Sequence, residues 1–190
     1  PKIKGRRGHE CTGLLECVML SSDCHACNVL AELVAGSVDN FIAMMNARAA
    51  ALGCTETNFV NTSGYPDPNH YTNAYSLFLI TNEAYHYPVF RLLQQCRQQS
   101  SRLLIWHQRE VWSNQCPDES IGVLNPYAIG VKTGSAQSSG LCLVGAAKKN
   151  DTTVITVVLG AGNNLMSDGT RLKQQFSETN KLIEMGLAGK

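Results

Sequence analysis

The last third of the chain constrains the fold most. Three apolar runs, Tyr127 to Ser135, Leu141 to Ala147 and Thr153 to Gly160, follow one another with only glycine or polar turns between them. The turn Lys148-Lys149-Asn150-Asp151 is short and polar, which predicts that the second and third runs are antiparallel neighbours. A helix from about Asp168 to Met185 follows, with Leu172, Phe176, Leu182 and Ile183 as its apolar side. Nothing in this order repeats as strand, helix, strand, so a doubly wound parallel sheet is excluded. The expected class is α+β.

The region before the strands reads as mainly helical. The first ten residues are basic and unpatterned, which predicts a solvated terminus or loop rather than a nucleic-acid arm. Thr12 to Leu20 reads as a short buried helix with Thr12 as its N-cap. Ser21-Ser22-Asp23-Cys24 is a break rich in capping residues. A helix is expected from about Ala26 to Ala35, with Leu30, Leu33 and Val34 on one face and Gly36 as its stop. Another runs from about Val38 to Leu52, with a stripe of Phe41, Met44, Met45 and Ala49, and Gly53 ends it. A short strand, Thr57 to Val60, leads into a loop of Asn, Gly, Pro and Asp. Two more helices, about Ala74 to Tyr85 and Val89 to Gln95, are separated at Pro88. Leu103 to Val111 is read as a strand and residues 113–126 as loop.

Composition narrows the function. The chain has 190 residues, 44% of them apolar, which fits one folded domain, divided at about residue 112 into helical and sheet parts. A net charge of +1 is too balanced for a protein that works mainly by gripping nucleic-acid phosphates. No apolar run approaches the roughly 18 residues of a membrane span. No secretory signal opens the chain. The eight cysteines mostly sit inside apolar patterns, so they are expected to be reduced, small and buried. Cys24 and Cys27 form a single CxxC pair; without a second pair, zinc is not expected. No metal and no cofactor is expected. Of the histidines, His70 is expected to structure its loop. Arg171 and Lys173, at the start of the last helix, are expected on a solvated face.

The strongest chemical signal is Lys132-Thr133-Gly134, followed by Ser135, at the end of one strand and before the next. Lysine supplies a positive point charge, and the hydroxyls of Thr133 and Ser135 share one strand face. Gly134 lets a ligand backbone approach closely. Ser22-Asp23-Cys24 is weaker. By itself it reads as an ordinary helix N-cap.

Together the two motifs are similar to the S-x-N and K-T-G elements of penicillin-binding proteins and class A β-lactamases. The stretches HACNVLAELVAGS, FIAMMNARAAALGCTETNFVNTSGYPDPNHYTNAYSLFLI and YAIGVKTGSAQSSGLCLVGAAKKNDTTVITVVLGAG resemble serine-type D-alanyl-D-alanine carboxypeptidases, the low-molecular-mass penicillin-binding proteins. The resemblance runs from about Thr12 to Leu187. It implies removal of the terminal D-alanine from peptidoglycan stem peptides through an acyl-serine intermediate that penicillins trap. It implies that Ser22 relays a proton to the leaving amine and that Lys132 supports the charge network. Thr133 and Ser135 would contact the terminal carboxylate or its β-lactam mimic, and the Ser135 N–H would be half of an oxyanion hole. It also implies an extracytoplasmic location.

Two departures from the family pattern stand out. Cys24 occupies the place of the usual asparagine, whose amide is a far better donor and acceptor than a thiol. And no serine in the chain is followed three residues later by lysine, so the nucleophile motif, its helix and the first two strands are expected to be missing from these residues. Their loss would expose one sheet edge and a hydrophobic groove. Four readings stay open. The chain could be the ordered or cloned part of an enzyme, or one chain of a cleaved protein whose N-terminal segment is a separate partner. It could be a non-catalytic module that binds peptidoglycan peptides or β-lactams, or, as the poorest option, a class A β-lactamase. The last would need a deacylating Glu-x-x-x-Asn loop, and no convincing one is read between the motifs. Oligomeric state is open.

Overall fold

The structure is a computed structural model that describes residues 6–99, 125–165 and 171–189. The described residues begin with helix α1, Arg6–Glu16, which runs into a π-helical turn over Cys17–Ser21. Helices α2 (Cys24–Ala35), α3 (Val38–Ala51), α4 (Ala74–Ala84) and α5 (Pro88–Gln99) follow. Strands β1 (Ala128–Ala136), β2 (Gly140–Lys149) and β3 (Thr152–Ala161) form an antiparallel sheet in that order. A two-stranded pair, β4 (Asn163–Leu165) and β5 (Arg171–Lys173), precedes helix α6, Gln174–Ala188.

The meander is present as expected. Lys149 pairs with Thr152, so Asn150 and Asp151 alone make the β2–β3 turn, and Asn150 takes the left-handed φ of 55° that such a tight turn demands. The central strand β2 carries the core. Leu143, Ala146 and Ala147 are fully buried, and α6 covers β2 and β3 with Phe176 and Ile183. Small residues on β2 let the helix lie close, which is how a thin sheet face is buried by one helix.

Several sequence expectations fail. The basic start is helical from Arg6, so Thr12 lies inside α1 and is no cap. The stretch 57–60 is not a strand; a lone bridge between Asn58 and Tyr71 stands there, because the Phe59 N–H and carbonyl and the Val60 N–H are taken by the Asn46 and His70 side chains rather than by a partner strand. Pro88 opens α5 at its first position, where proline loses no hydrogen bond. The last helix starts at Gln174 rather than Asp168, because Arg171 to Lys173 pair with β4. Arg171 and Lys173 are therefore strand residues. Leu182 is 38% exposed, while Thr179 takes the fully buried place on the inner face of α6. Leu33 (53%), Val34 and Met44 are exposed, and the face of α2 that packs is the one carrying Ala26 and Ala31. Of the six cysteines whose side chains are described only Cys54 is buried; Cys24 is exposed and the others are half-buried. All six are free thiols. The expected strand and loop between 103 and 124 lie outside the described residues.

The loop from Cys54 to Asn73 is held by its own polar side chains. Asn61 Oδ1 accepts from the N–H groups of Ser63, Gly64 and Tyr65. Asn46, on α3, donates to the Phe59 carbonyl and accepts from its N–H, both at 2.8 Å. His70 structures the loop, as expected: its Nδ1 accepts from the Val60 N–H at 3.2 Å and its ring packs against Phe59. Burial pushes the His70 pKa below its ordinary value of 6.5, against a smaller opposing effect of the Asp67 carboxylate. Only the neutral ring can accept at Nδ1. The folded state therefore prefers neutral His70, and the stability this gives is present above pH 6.5 and lost as pH falls through the lowered value. Urea midpoints are expected to fall more between pH 7.5 and 5.5 in the parent than in His70→Gln, and equal shifts would remove His70 as the cause.

Candidate active site

Ser22 is placed by backbone geometry that its side chain did not advertise. The π-turn ends at Ser22, which adopts φ 55° and ψ 40° and donates its N–H back to the Cys17 carbonyl. A non-glycine residue in the left-handed region is uncommon and is held there by its surroundings. The expected N-cap role belongs instead to Asp23. Its carboxylate accepts from the His25 N–H at 2.8 Å and the Ala26 N–H at 3.0 Å, opening α2. Asp23 thus fixes the joint that presents Ser22 on one side and Cys24 on the other. The signal for it was an acidic residue directly before an apolar helix.

Lys132 comes from the middle of β1 and pairs across the ladder with Val144. Its ammonium donates to Ser22 Oγ and, at 3.0 Å, to the Thr133 carbonyl. An ammonium has only donors, so Ser22 Oγ is the acceptor in this contact and its own proton is directed elsewhere. The two motifs, 110 residues apart, meet here. Thr133 and Ser135 alternate with Lys132 and Gly134 along β1, which puts the hydroxyl pair on one strand face and the lysine on the other. Thr133 is half-buried and Ser135 exposed. Among the described strands β1 is an edge of the sheet, so one side of its backbone faces away from β2.

Gly134 lies opposite Cys142, and a Cβ at Gly134 would come no closer than 3.8 Å to the Cys142 Cβ. The protein itself therefore does not need glycine there. Cys24 stands beside Ser22, its thiol 3.9 Å from the Ser22 carbonyl. Burial pushes the Cys27 thiol up, the Cys24 and Asp23 charges add to this, and the Lys132 charge opposes it. Lys132 thus acts on α2 as well as on Ser22. The loop is tied to the same helix: the Thr62 hydroxyl donates to Asn28 Oδ1, a contact the sequence did not suggest. Among the described residues no group of three His, Cys, Asp or Glu side chains could hold a metal ion. Glu110 and Asn114 do stand at a Glu-x-x-x-Asn spacing, contrary to the reading of the sequence, but in residues outside those described.

Comparison with known proteins gives the same grouping. The D-alanyl-D-alanine carboxypeptidase family model matches residues 4–163. The D-alanyl-D-alanine carboxypeptidase DacC of Escherichia coli K12 is 30% identical over 178 residues, 89% of this chain and 38% of that protein. The D-alanyl-D-alanine carboxypeptidase of Streptomyces sp. strain K15 is 29% identical over 92% of this chain and 60% of its own length. Among solved structures, the Streptomyces K15 DD-transpeptidase superposes with a TM-score of 0.72 and 28% identity, covering 93% of this chain and 67% of that one. A D-alanyl-D-alanine carboxypeptidase from Mycobacterium tuberculosis H37Rv gives 0.71 and 27%, over 94% and 64%. The chain spans less than two thirds of the length of these curated relatives, and its α+β architecture is the penicillin-binding-protein, transpeptidase-like fold. With the family model covering most of its residues, the chain belongs to the D-alanyl-D-alanine carboxypeptidase family.

Proposed function

We propose that this chain carries the proton-relay and carboxylate-binding part of a serine-type D-Ala-D-Ala carboxypeptidase site. The observation that carries the reading is the Lys132–Ser22 contact between the two motifs. The ligand is a peptidoglycan stem peptide ending in D-Ala-D-Ala, or a β-lactam that mimics it, met on the outer side of the cytoplasmic membrane. Its terminal carboxylate lies against the Thr133 and Ser135 hydroxyls on one face of β1, with the Lys132 charge acting on it across the open edge of the strand. Gly134 admits the ligand backbone, Cys24 lines the cleft, and the Ser135 N–H is one of the two donors for the developing oxyanion. As the peptide bond breaks, Ser22 gives its proton to the departing amine. The lysine ammonium lowers the cost of the negative charge left on Ser22 Oγ.

No S-x-x-K occurs in these 190 residues. An oxyanion donor and a relay without a nucleophile bind but do not acylate. Intact-mass measurement after incubation with a penicillin is therefore expected to show no covalent adduct on this chain. A stoichiometric mass gain would overturn that expectation. Cys24, a weak donor and acceptor where the family pattern has an amide, supports a second reading, a module that holds cell-wall peptides without cutting them. Assay of D-alanine release by a protein carrying an upstream S-x-x-K as well as these residues separates the two: release supports the enzyme, and binding without release supports the module.

A further inference from the structure

Cys24 lines the cleft, but its pairing with Cys27 has no part in the chemistry above, and the placement of the pair is specific. Cys24 is the first residue of α2 and Cys27 lies one turn on, with its N–H bonded to the Asp23 carbonyl at 3.2 Å. Side chains three apart on a helix have Cβ atoms roughly 5–6 Å apart, and a disulfide needs about 3.5–4.5 Å. Closure therefore asks for a modest tightening of the first turn, the part of a helix that most readily shifts toward the tighter 3₁₀ winding. Cys24 is exposed and Cys27 half-buried, so an oxidant in solution reaches Cys24 first. The Cys24 charge raises the Cys27 thiol, so the two sulfurs sense each other. A zinc site needs four ligands, and no third His, Cys, Asp or Glu joins the pair among the described residues.

We propose that Cys24 and Cys27 are a reversible dithiol–disulfide pair across the first turn of α2, at the rim of the Ser22–Lys132 site. The oxidant is a disulfide of a small thiol. The Cys24 thiolate attacks one sulfur of that disulfide, forming a mixed disulfide and releasing one small thiolate. The Cys27 thiolate then attacks Cys24 Sγ and releases the second. Two protein thiols lose two hydrogens, and the small disulfide is reduced to two thiols. Closure removes the S–H that Cys24 points at the Ser22 carbonyl and draws its sulfur along the helix.

The test needs no ligand, so its outcome is independent of the function proposed above. Purified protein is incubated with oxidised glutathione and its mass and disulfide-linked peptides are read. The expected result is a loss of two hydrogens, a Cys24–Cys27 link, and no retained glutathione. Cys27→Ser is expected to keep one glutathione on Cys24, and Cys24→Ser to give no link at Cys27. Three outcomes would overturn the proposal: glutathione retained on Cys24 in the parent, a link through Cys11 or Cys17 instead, or no change in mass. Circular dichroism of each variant excludes misfolding as the cause.

Discussion

Lys132→Ala is expected to weaken the noncovalent binding of a penicillin or a D-Ala-D-Ala peptide by about 10- to 100-fold, with little change in thermal midpoint. The magnitude follows from the kind of interaction removed. A hydrogen bond to a charged group contributes about 1.5–3 kcal/mol, and each 1.4 kcal/mol is about tenfold in affinity. Lys132 supplies the one positive charge that the structure places between Ser22 and the Thr133 carbonyl. Its side chain lies at a half-buried position on an edge strand rather than in the core, so the fold has little to lose. Lys132→Arg is expected to recover only part of the affinity. A planar guanidinium is wider than an ammonium and cannot point one donor at Ser22 Oγ and another at the Thr133 carbonyl in the same space. Calorimetric titration of the three proteins, with far-ultraviolet melts beside it, checks both halves. Unchanged affinity in Lys132→Ala would end the carboxylate-cradle reading of β1, whatever its stability.

The meander was legible because its signals are local. Period-two apolarity and a two-residue turn with Asn150 at the left-handed position fix neighbours and register without knowledge of the rest. The C-terminal end of α2 was legible for the same reason: Gly36, at φ 78°, stops it, whereas its cap proved to be Asp23 rather than Ser22. What was not legible depends on contacts made far along the chain. The faces of α2 and α6 were misjudged because an apolar residue is buried only where another element covers it. Thr179 is covered by β2 and β3, whereas Leu33, Met44 and Leu182 are not. The last helix was begun too early because the pairing of β5 with β4 outweighs the helical pattern of its sequence. The meeting of Ser22 with Lys132 has no local signature at all. A polar tripeptide at a strand end and a serine between two helices are each ordinary. Resemblance to a family with both motifs in that order joined them on paper, and the backbone turn at Ser22 joins them in space.

Gly145→Ala is expected to destabilise the protein by about 1–3 kcal/mol, the usual cost of forcing a methyl group into a well-packed interior. Gly145 is buried on the central strand, between Val131 on β1 and Thr156 on β3, under helix α6. A Cβ there would lie 2.6 Å from Thr156 Oγ1 and 2.7 Å from Thr179 Cγ2, both on buried side chains. Neither neighbour yields easily, since β-branched side chains are stiff at χ1 and a buried rotamer has nowhere to turn. The site is already short of compensation: among the described residues the buried Thr156 and Thr179 hydroxyls find no hydrogen-bond partner. The added methyl must therefore push α6 away from the sheet or twist a threonine off its rotamer. Thr179→Ser removes one of the two clashing groups, so the double variant is expected to regain part of the loss, a coupling that urea titration of the four proteins measures as a cycle. Gly134→Ala, on the neighbouring strand, meets nothing nearer than 3.8 Å and is expected to leave the urea midpoint unchanged while weakening ligand binding. Equal midpoints for Gly145→Ala and the parent would mean that α6 does not lie on β2 as described. A fall in both glycine variants would mean that Gly134 serves the sheet rather than the ligand.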